Sequence, residues 1–211
     1  ILWGSSNLNT LPKAPGGIIM HENSCLILST AEEVNFGPIE LIEDASVYGG
    51  ASTNGHDGIR KFNGAIKGSG KLIFNGVNRN QFRLETANTF SGGLMAHSTQ
   101  NEPFYIVAAA DASFGTGDVH LKENSSLIIE ANLNDTIANT AALSLEGVGS
   151  LRVNGGGADP NKLYKLLLQS DETVAGFFID GVDQGEGLFS GETHPAITGP
   201  GKLTVKRSDD N

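Results

Sequence analysis

Apolar residues recur at every second position in short runs, and each run ends in a small polar or glycine-rich turn. That alternation is the signature of half-buried strands. Three runs share one pattern, apolar-x-Gly-x-Gly-[Lys/Ser]-Leu-x-apolar: IKGSGKLIF from Ile66, LEGVGSLRV from Leu145 and ITGPGKLTV from Ile197. Their first glycines, Gly68, Gly147 and Gly199, are 79 and 52 residues apart. Both spacings approach multiples of about 26, a rung length typical of solenoids. The three glycines are expected at equivalent corners, with Leu72, Leu151 and Leu203 pointing inward one strand later.

A second repeat lies between these motifs. ENSCLIL at Glu22 to Leu28 matches ENSSLII at Glu123 to Ile129, and EDASVYG at Glu43 to Gly49 is a looser copy. Each places a small polar turn before alternating apolar residues. In NTFSGGL, Asn88 to Leu94, Ser-Gly-Gly reads as a corner, with Phe90 and Leu94 pointing inward. Helical periodicity is nearly absent. The best helical window is residues 159–172, where Asp159 fits an N-cap and Pro160 a first helical position. Leu163, Leu166, Leu167 and Leu168 also fit a buried strand, and strand is the reading taken because turns bound the run on both sides.

Composition narrows the class of protein. Glycine contributes 28 of 211 residues and charged residues only 18 %, so many short elements are joined by many turns. The formal net charge is -10, which argues against a nucleic-acid or anionic-membrane partner. The one cysteine, Cys25, excludes an intrachain disulfide and leaves the compartment open. No apolar run reaches the roughly 18 residues of a spanning helix. The chain begins without Met or a signal peptide and reads as a piece of a longer parent protein with flanking domains. Together these features predict an all-β solenoid, a parallel β-helix.

NTFSGGL followed by DASFGTGDVHLKENSSLII resembles the passenger-associated transport repeat of autotransporter-type surface proteins. Asn88 to Gly93 match its opening closely. Phe114-Gly115-Thr116-Gly117 stands where that repeat has Leu-Gly-x-Gly, and an insert between the two halves departs from it. The stretch from Phe177 to Val182, with Gly187 to Phe189 and Gly199 to Val205, resembles the closing segment of autotransporter-associated β-strand proteins. These likenesses cover about a third of the chain. The resemblance implies a right-handed parallel β-helix and a secreted or cell-surface location, and it implies no reaction. Residues 1–172 are expected to form the coils, and residues 173–211 a hairpin-like C-terminal cap of the same domain.

Candidate chemistry is sparse. A Gly-x-Ser-x-Gly elbow is missing, and Cys25 reads as a structural thiol. His21, His56, His97, His120 and His194 show no zinc spacing. Asp180, Asp183 and Glu186 in IDGVDQGEG offer an oxygen-rich set of the kind Ca²⁺ takes. Without EF-hand or β-roll spacing, Asp180-Gly181 is more simply a hairpin turn. Asp111, Asp118, Glu123, Glu130, Asp135 and Glu146 could supply a catalytic carboxylate pair, and the sequence selects no two of them. Trp3, Tyr48 and Tyr105 are the candidate sugar-stacking residues. Phe177 and Phe178 are adjacent, so only one can face outward.

The function expected first is a non-catalytic structural or adhesive segment of a larger secreted or surface bacterial protein. The alternatives are a carbohydrate-binding module of a polysaccharide-degrading enzyme and a β-helical polysaccharide lyase or hydrolase.

Overall fold

The computed structural model describes residues 2–4, 17–28, 34–49, 58–77, 80–98, 104–147 and 165–207. Among these residues every regular element is a strand. Alternation sets the pattern: Ala45–Gly49, Leu72–Gly76 and Leu94–Ser98 each bury every second residue. A strand of this kind has one apolar face and needs a neighbouring coil to cover its edge.

The chain winds through three faces. The long face stacks eight parallel strands in chain order, from Leu2–Gly4 and Cys25–Leu28 to Ala142–Leu145 and Gly176–Ile179. The second face stacks seven, from Val34–Phe36 and Ile59–Phe62 to Leu166–Leu168 and Ile197–Thr198. The third face carries Ile18–Met20, Ile39–Leu41 and Ile66–Gly68 in the early coils and Glu172–Val174 with Leu203–Val205 in the last ones. Between these, backbone bonds such as Thr89 N–H to Ile66 O (2.9 Å) and Phe114 N–H to Thr136 O (3.0 Å) continue the stacking without regular strand. The protein is a parallel β-helix, as the alternation predicts.

Coil length varies. Leu26 pairs with Val47, whereas Leu143 pairs with Phe177, so turns of different size are inserted while the inward register is kept. The core is one continuous column. Phe36, Phe62, Phe74, Phe82 and Phe104 follow one another with ring centroids 4.7 to 5.8 Å apart, alternating stacked and edge-on. Burying each such ring contributes roughly 1.5–3 kcal/mol. Arg60 interrupts the apolar set. It sits in register with Phe82, fully buried, and donates to Gly58 O and Asn80 Oδ1 at 2.9 and 2.7 Å. Burial lowers its pKa to about 10.

Phe90 and Leu94 point inward as expected, and Gly93 between them has φ +85°. Asn88 is buried as well. Its Oδ1 accepts from Ile66 N–H at 2.7 Å and its Nδ2 donates to Ser113 O at 2.6 Å. One side chain thus satisfies backbone groups of the coils on either side, which is why an asparagine opens that motif.

The repeated glycines correct one expectation. Gly68, Gly147 and Gly199 all have positive φ, at +113°, +66° and +101°, so each does make a corner. The corners are not equivalent. Gly68 ends a third-face strand, Gly147 follows the long-face strand Ala142–Leu145, and Gly199 follows the second-face strand Ile197–Thr198. The motif encodes a way of turning and can be used wherever the coil bends. Leu72 and Leu203 are fully buried; Leu151 lies outside the described residues. Leu166–Leu168 is a strand, as read.

At the C-terminal end, parallel pairing continues through Gly176–Ile179 and is taken up again by Ile197–Thr198 and Leu203–Val205. Antiparallel pairing begins at Val182–Asp183. Asp180 and Gly181 have φ +48° and +79°, the two-residue turn that joins tightly twisted strands. Gly187–Phe189 also pairs antiparallel, with Leu203–Val205, so the stack closes in hairpin-like structure.

Candidate functional site

Carboxylates recur in the polar work of this fold, and several accept from backbone N–H groups of an adjacent coil. Asp44 Oδ1 accepts from Lys71 N–H at 2.8 Å, and Asp111 Oδ1 from Asn134 N–H at 2.7 Å. Asp118 Oδ1 accepts from Ala142 N–H at 2.8 Å, and Asp171 Oδ1 from Lys202 N–H at 2.9 Å. Glu172, nearly fully buried, accepts from the N–H and hydroxyl of Thr136 at 3.0 and 2.5 Å. Burial still raises its pKa, because those bonds only partly replace lost hydration. At the four corners that carry these aspartates the strand ladder is broken and a donor is left over; the short acid one coil away accepts from it.

Of the six acids that could have formed a catalytic pair, Asp111 and Asp118 are used in this way. Glu130 instead makes a two-pronged bond to Arg83, at 2.7 and 3.1 Å, while Arg83 also donates to Glu85 at 2.9 Å. This clamp spans the outward register position of Val107, which lies between Arg83 and Ile128 in the second face. Val107 is only 1 % exposed, although its strand neighbours Ile106 and Ala108 fill the inward positions.

The oxygen-rich loop does not gather its three acids around one point: Asp180 bonds Gly147, while Asp183 and Glu186 both bond Arg207. Asp180 Oδ1 accepts from Gly147 N–H at 2.6 Å. Asp183 accepts from Gly185 N–H at 2.9 Å and forms an ion pair with Arg207, and these bonds hold its carboxyl below the usual range. Glu186 Oε1 accepts from Arg207 N–H at 2.9 Å. Among the described residues no three His, Cys, Asp or Glu side chains are grouped to hold a metal.

The aromatic candidates are divided between faces. Trp3 and Tyr48 share one register position of the long face, with Ile27 between them; the side chain of Trp3 lies outside the described residues. Tyr105 belongs to the second face, in register with Gln81 and Ser126. Of the adjacent pair, Phe177 is fully buried and Phe178 faces outward, half-buried.

A different set is brought together on the long face. Ile73, Met95, His120, Ser144 and Phe178 occupy one outward register position in successive strands. Two adjoining clefts lie along this line, of about 410 and 260 Å³, and both are lined by Asp118, His120 and Ser144. Lys71 and Met95 line the larger cleft, and Glu146 and Phe178 the smaller. His120 Nε2 bonds Glu146 Oε1 at 2.6 Å. Since a carboxylate only accepts, Nε2 donates this bond, and in the neutral tautomer that does so Nδ1 is an acceptor.

The side wall of the larger cleft is low because backbone stacks directly on backbone there. A Cβ placed on Gly92 would come 2.3 Å from the carbonyl carbon of Gly70, and one on Gly117 would come 2.4 Å from Gly93 N. No side chain fits at these corners, so none shields the outward faces of Met95 and His120.

Sequence reasoning placed Asp118 and Glu146 in a pool of six acids and set His120 aside for want of metal spacing. A signal was nevertheless present. His120 and Glu146 are 26 residues apart, within the rung lengths that solenoids use. Ser144 carried no signal, since a lone serine in a strand has no distinctive neighbour.

No family model, no curated protein and no solved structure significantly matches this chain. Among the described residues no helix is long and apolar enough to cross a membrane.

Proposed function

We propose that this chain is a non-catalytic structural and adhesive segment of a larger secreted or surface bacterial protein. One observation carries the reading: of the six acids that a polysaccharide-cleaving pair would draw on, Asp111 and Asp118 are committed to the stacking of coils and Glu130 is held by Arg83. Asp44, Asp111, Asp118 and Asp171 each accept a backbone N–H across a coil boundary. A carboxylate held in that way is a poor proton shuttle, because its position is fixed on the N–H and protonation would weaken that bond. The likeness of Asn88 to Gly93 and of the C-terminal stretch to autotransporter-associated repeats supports the surface location.

The test is a comparison of turnover with stability. Purified protein is assayed against neutral and acidic polysaccharides for new reducing ends and for unsaturated products. Asp44→Ala, Asp111→Ala and Asp171→Ala are melted in parallel. The expected outcome is no turnover and a lowered melting temperature for each variant, by about 0.5–1.5 kcal/mol of stability per lost acceptor. Turnover that one of these substitutions abolishes while the melting temperature stays unchanged overturns the proposal.

A further inference from the structure

We infer that the paired clefts on the long face bind a linear, neutral oligosaccharide, lying along the solenoid axis between Lys71 and Phe178. The inference deepens the adhesive reading above and rests on it.

The direction of the site comes from the register. Met95, His120, Ser144 and Phe178 lie on four successive strands, so a ligand that touches all four crosses coils instead of following one strand. The two clefts share Asp118, His120 and Ser144, and an extended chain can run from one into the other. A compact ligand would fill only one of them.

The chemistry excludes other occupants. A peptide strand would need unpaired backbone donors and acceptors, and every strand here is bonded on both sides within the long face. Recognition must therefore come from side chains. These are Ser144, the open nitrogen of His120, the carboxylates of Asp118 and Glu146, and one cation, Lys71. Asp118 has one oxygen bonded to Ala142 N–H, and carboxylates accept from hydroxyl groups. Two carboxylates against one lysine disfavour an anionic chain, as does the net charge of -10. Phe178, half-exposed at the far end, gives an aromatic face for the C–H side of a sugar ring. A polyhydroxylated, uncharged, linear ligand meets all of these conditions.

Titration calorimetry on the intact chain tests the inference, with cellohexaose and mannohexaose as neutral probes and hexagalacturonate as the anionic one. Phe178→Ala and Ser144→Val are the variants, and circular dichroism checks that both keep the β spectrum. At least one neutral hexaose is expected to bind, with hexagalacturonate weaker. Phe178→Ala should weaken binding about tenfold, the loss of roughly 1.4 kcal/mol of aromatic contact. Binding of neither neutral probe by folded protein overturns the inference, as does tighter binding of hexagalacturonate. Binding that both variants retain in full also overturns it, by placing the ligand elsewhere. Cleavage of a bound hexaose would instead sink the non-catalytic reading and leave the cleft as a binding site.

Discussion

Two nearly identical heptapeptides occupy different faces of this solenoid. ENSCLIL at Glu22 to Leu28 leads into a long-face strand, and ENSSLII at Glu123 to Ile129 leads into a second-face strand. Their turns close with the same bond, Ser24 N–H donating to His21 O at 3.0 Å and Ser125 N–H to Lys122 O at 3.1 Å, although the positive φ falls on Asn23 in one and on Glu123 in the other. Their surroundings differ. Ser24 Oγ accepts from His21 N–H in an exposed turn. Ser125 is fully buried and its hydroxyl lies 3.0 Å from Ala96 O and 2.6 Å from Lys122 O. Cys25 is half-buried, whereas Ser126, its counterpart, is fully buried and in coil-to-coil sequence with Lys165, whose ammonium donates to Glu123 O. Turn chemistry fixes where a strand begins. The coil around it determines what the strand is worth.

The largest test of that contrast is truncation of the matched leucines. Leu127→Ala should cost about 2–5 kcal/mol, because it opens a cavity in the middle of the column. Leu26→Ala should fall at the low end of that range, since coils near an end open locally at lower cost. Urea melts of the two variants compare them, and equal losses would mean that the column is uniformly stable along its length.

Lys165 sharpens the comparison next, because the first heptapeptide has no buried cation against it among the described residues. Burial lowers the pKa of Lys165 from 10.5 to about 7. Between that value and the unfolded one, near 10.4, the unfolded chain binds the extra proton. Stability of the wild type should therefore rise with pH across that window, by at most about 1.4 kcal/mol per pH unit from this group. Lys165→Met removes the dependence. Melting both proteins between pH 7 and pH 10 should show the wild type gaining stability relative to the variant as pH rises; a constant difference would show that the ammonium is well solvated.

The matched serines should differ by less. Ser125→Ala removes a buried hydroxyl shared between two carbonyls and is expected to cost about 1–3 kcal/mol. Ser24→Ala, in an exposed turn, should stay within about 0.5 kcal/mol. Denaturant midpoints of the pair decide this, and equal midpoints would assign the stability to the turn alone.

The smallest effect is expected at Cys25. Burial pushes its thiol pKa up, so the thiolate is scarce and alkylation at neutral pH should be slower than for a free thiol. In a Cys25→Ser background, Ser126→Cys should react more slowly still, as that position is fully buried. Iodoacetamide labelling followed by mass spectrometry gives both rates. Faster labelling at residue 126 would show that the second heptapeptide is the more open one.

Much of the fold was legible in the sequence because its signals are local. Alternation located the strands Cys25–Leu28, Leu72–Gly76 and Ser125–Ile129, and positive-φ glycines marked corners at Gly68, Gly147 and Gly199. Asp180-Gly181 declared its hairpin from two residues. The choice between Phe177 and Phe178 followed from alternation only as a constraint that one must face outward; the pairing of Leu143 with Phe177 decided which.

What the sequence determined by itself was the type of element and the way it turns, because these depend on φ, on side-chain alternation and on bonds within four residues. What the tertiary structure alone decided was which face each strand joins and which side chains meet across coils. Coil length varies, so a fixed spacing cannot assign the face. The line from Met95 through His120 and Ser144 to Phe178 exists only once the coils are stacked, because its members are brought together by inter-strand register and share no local motif.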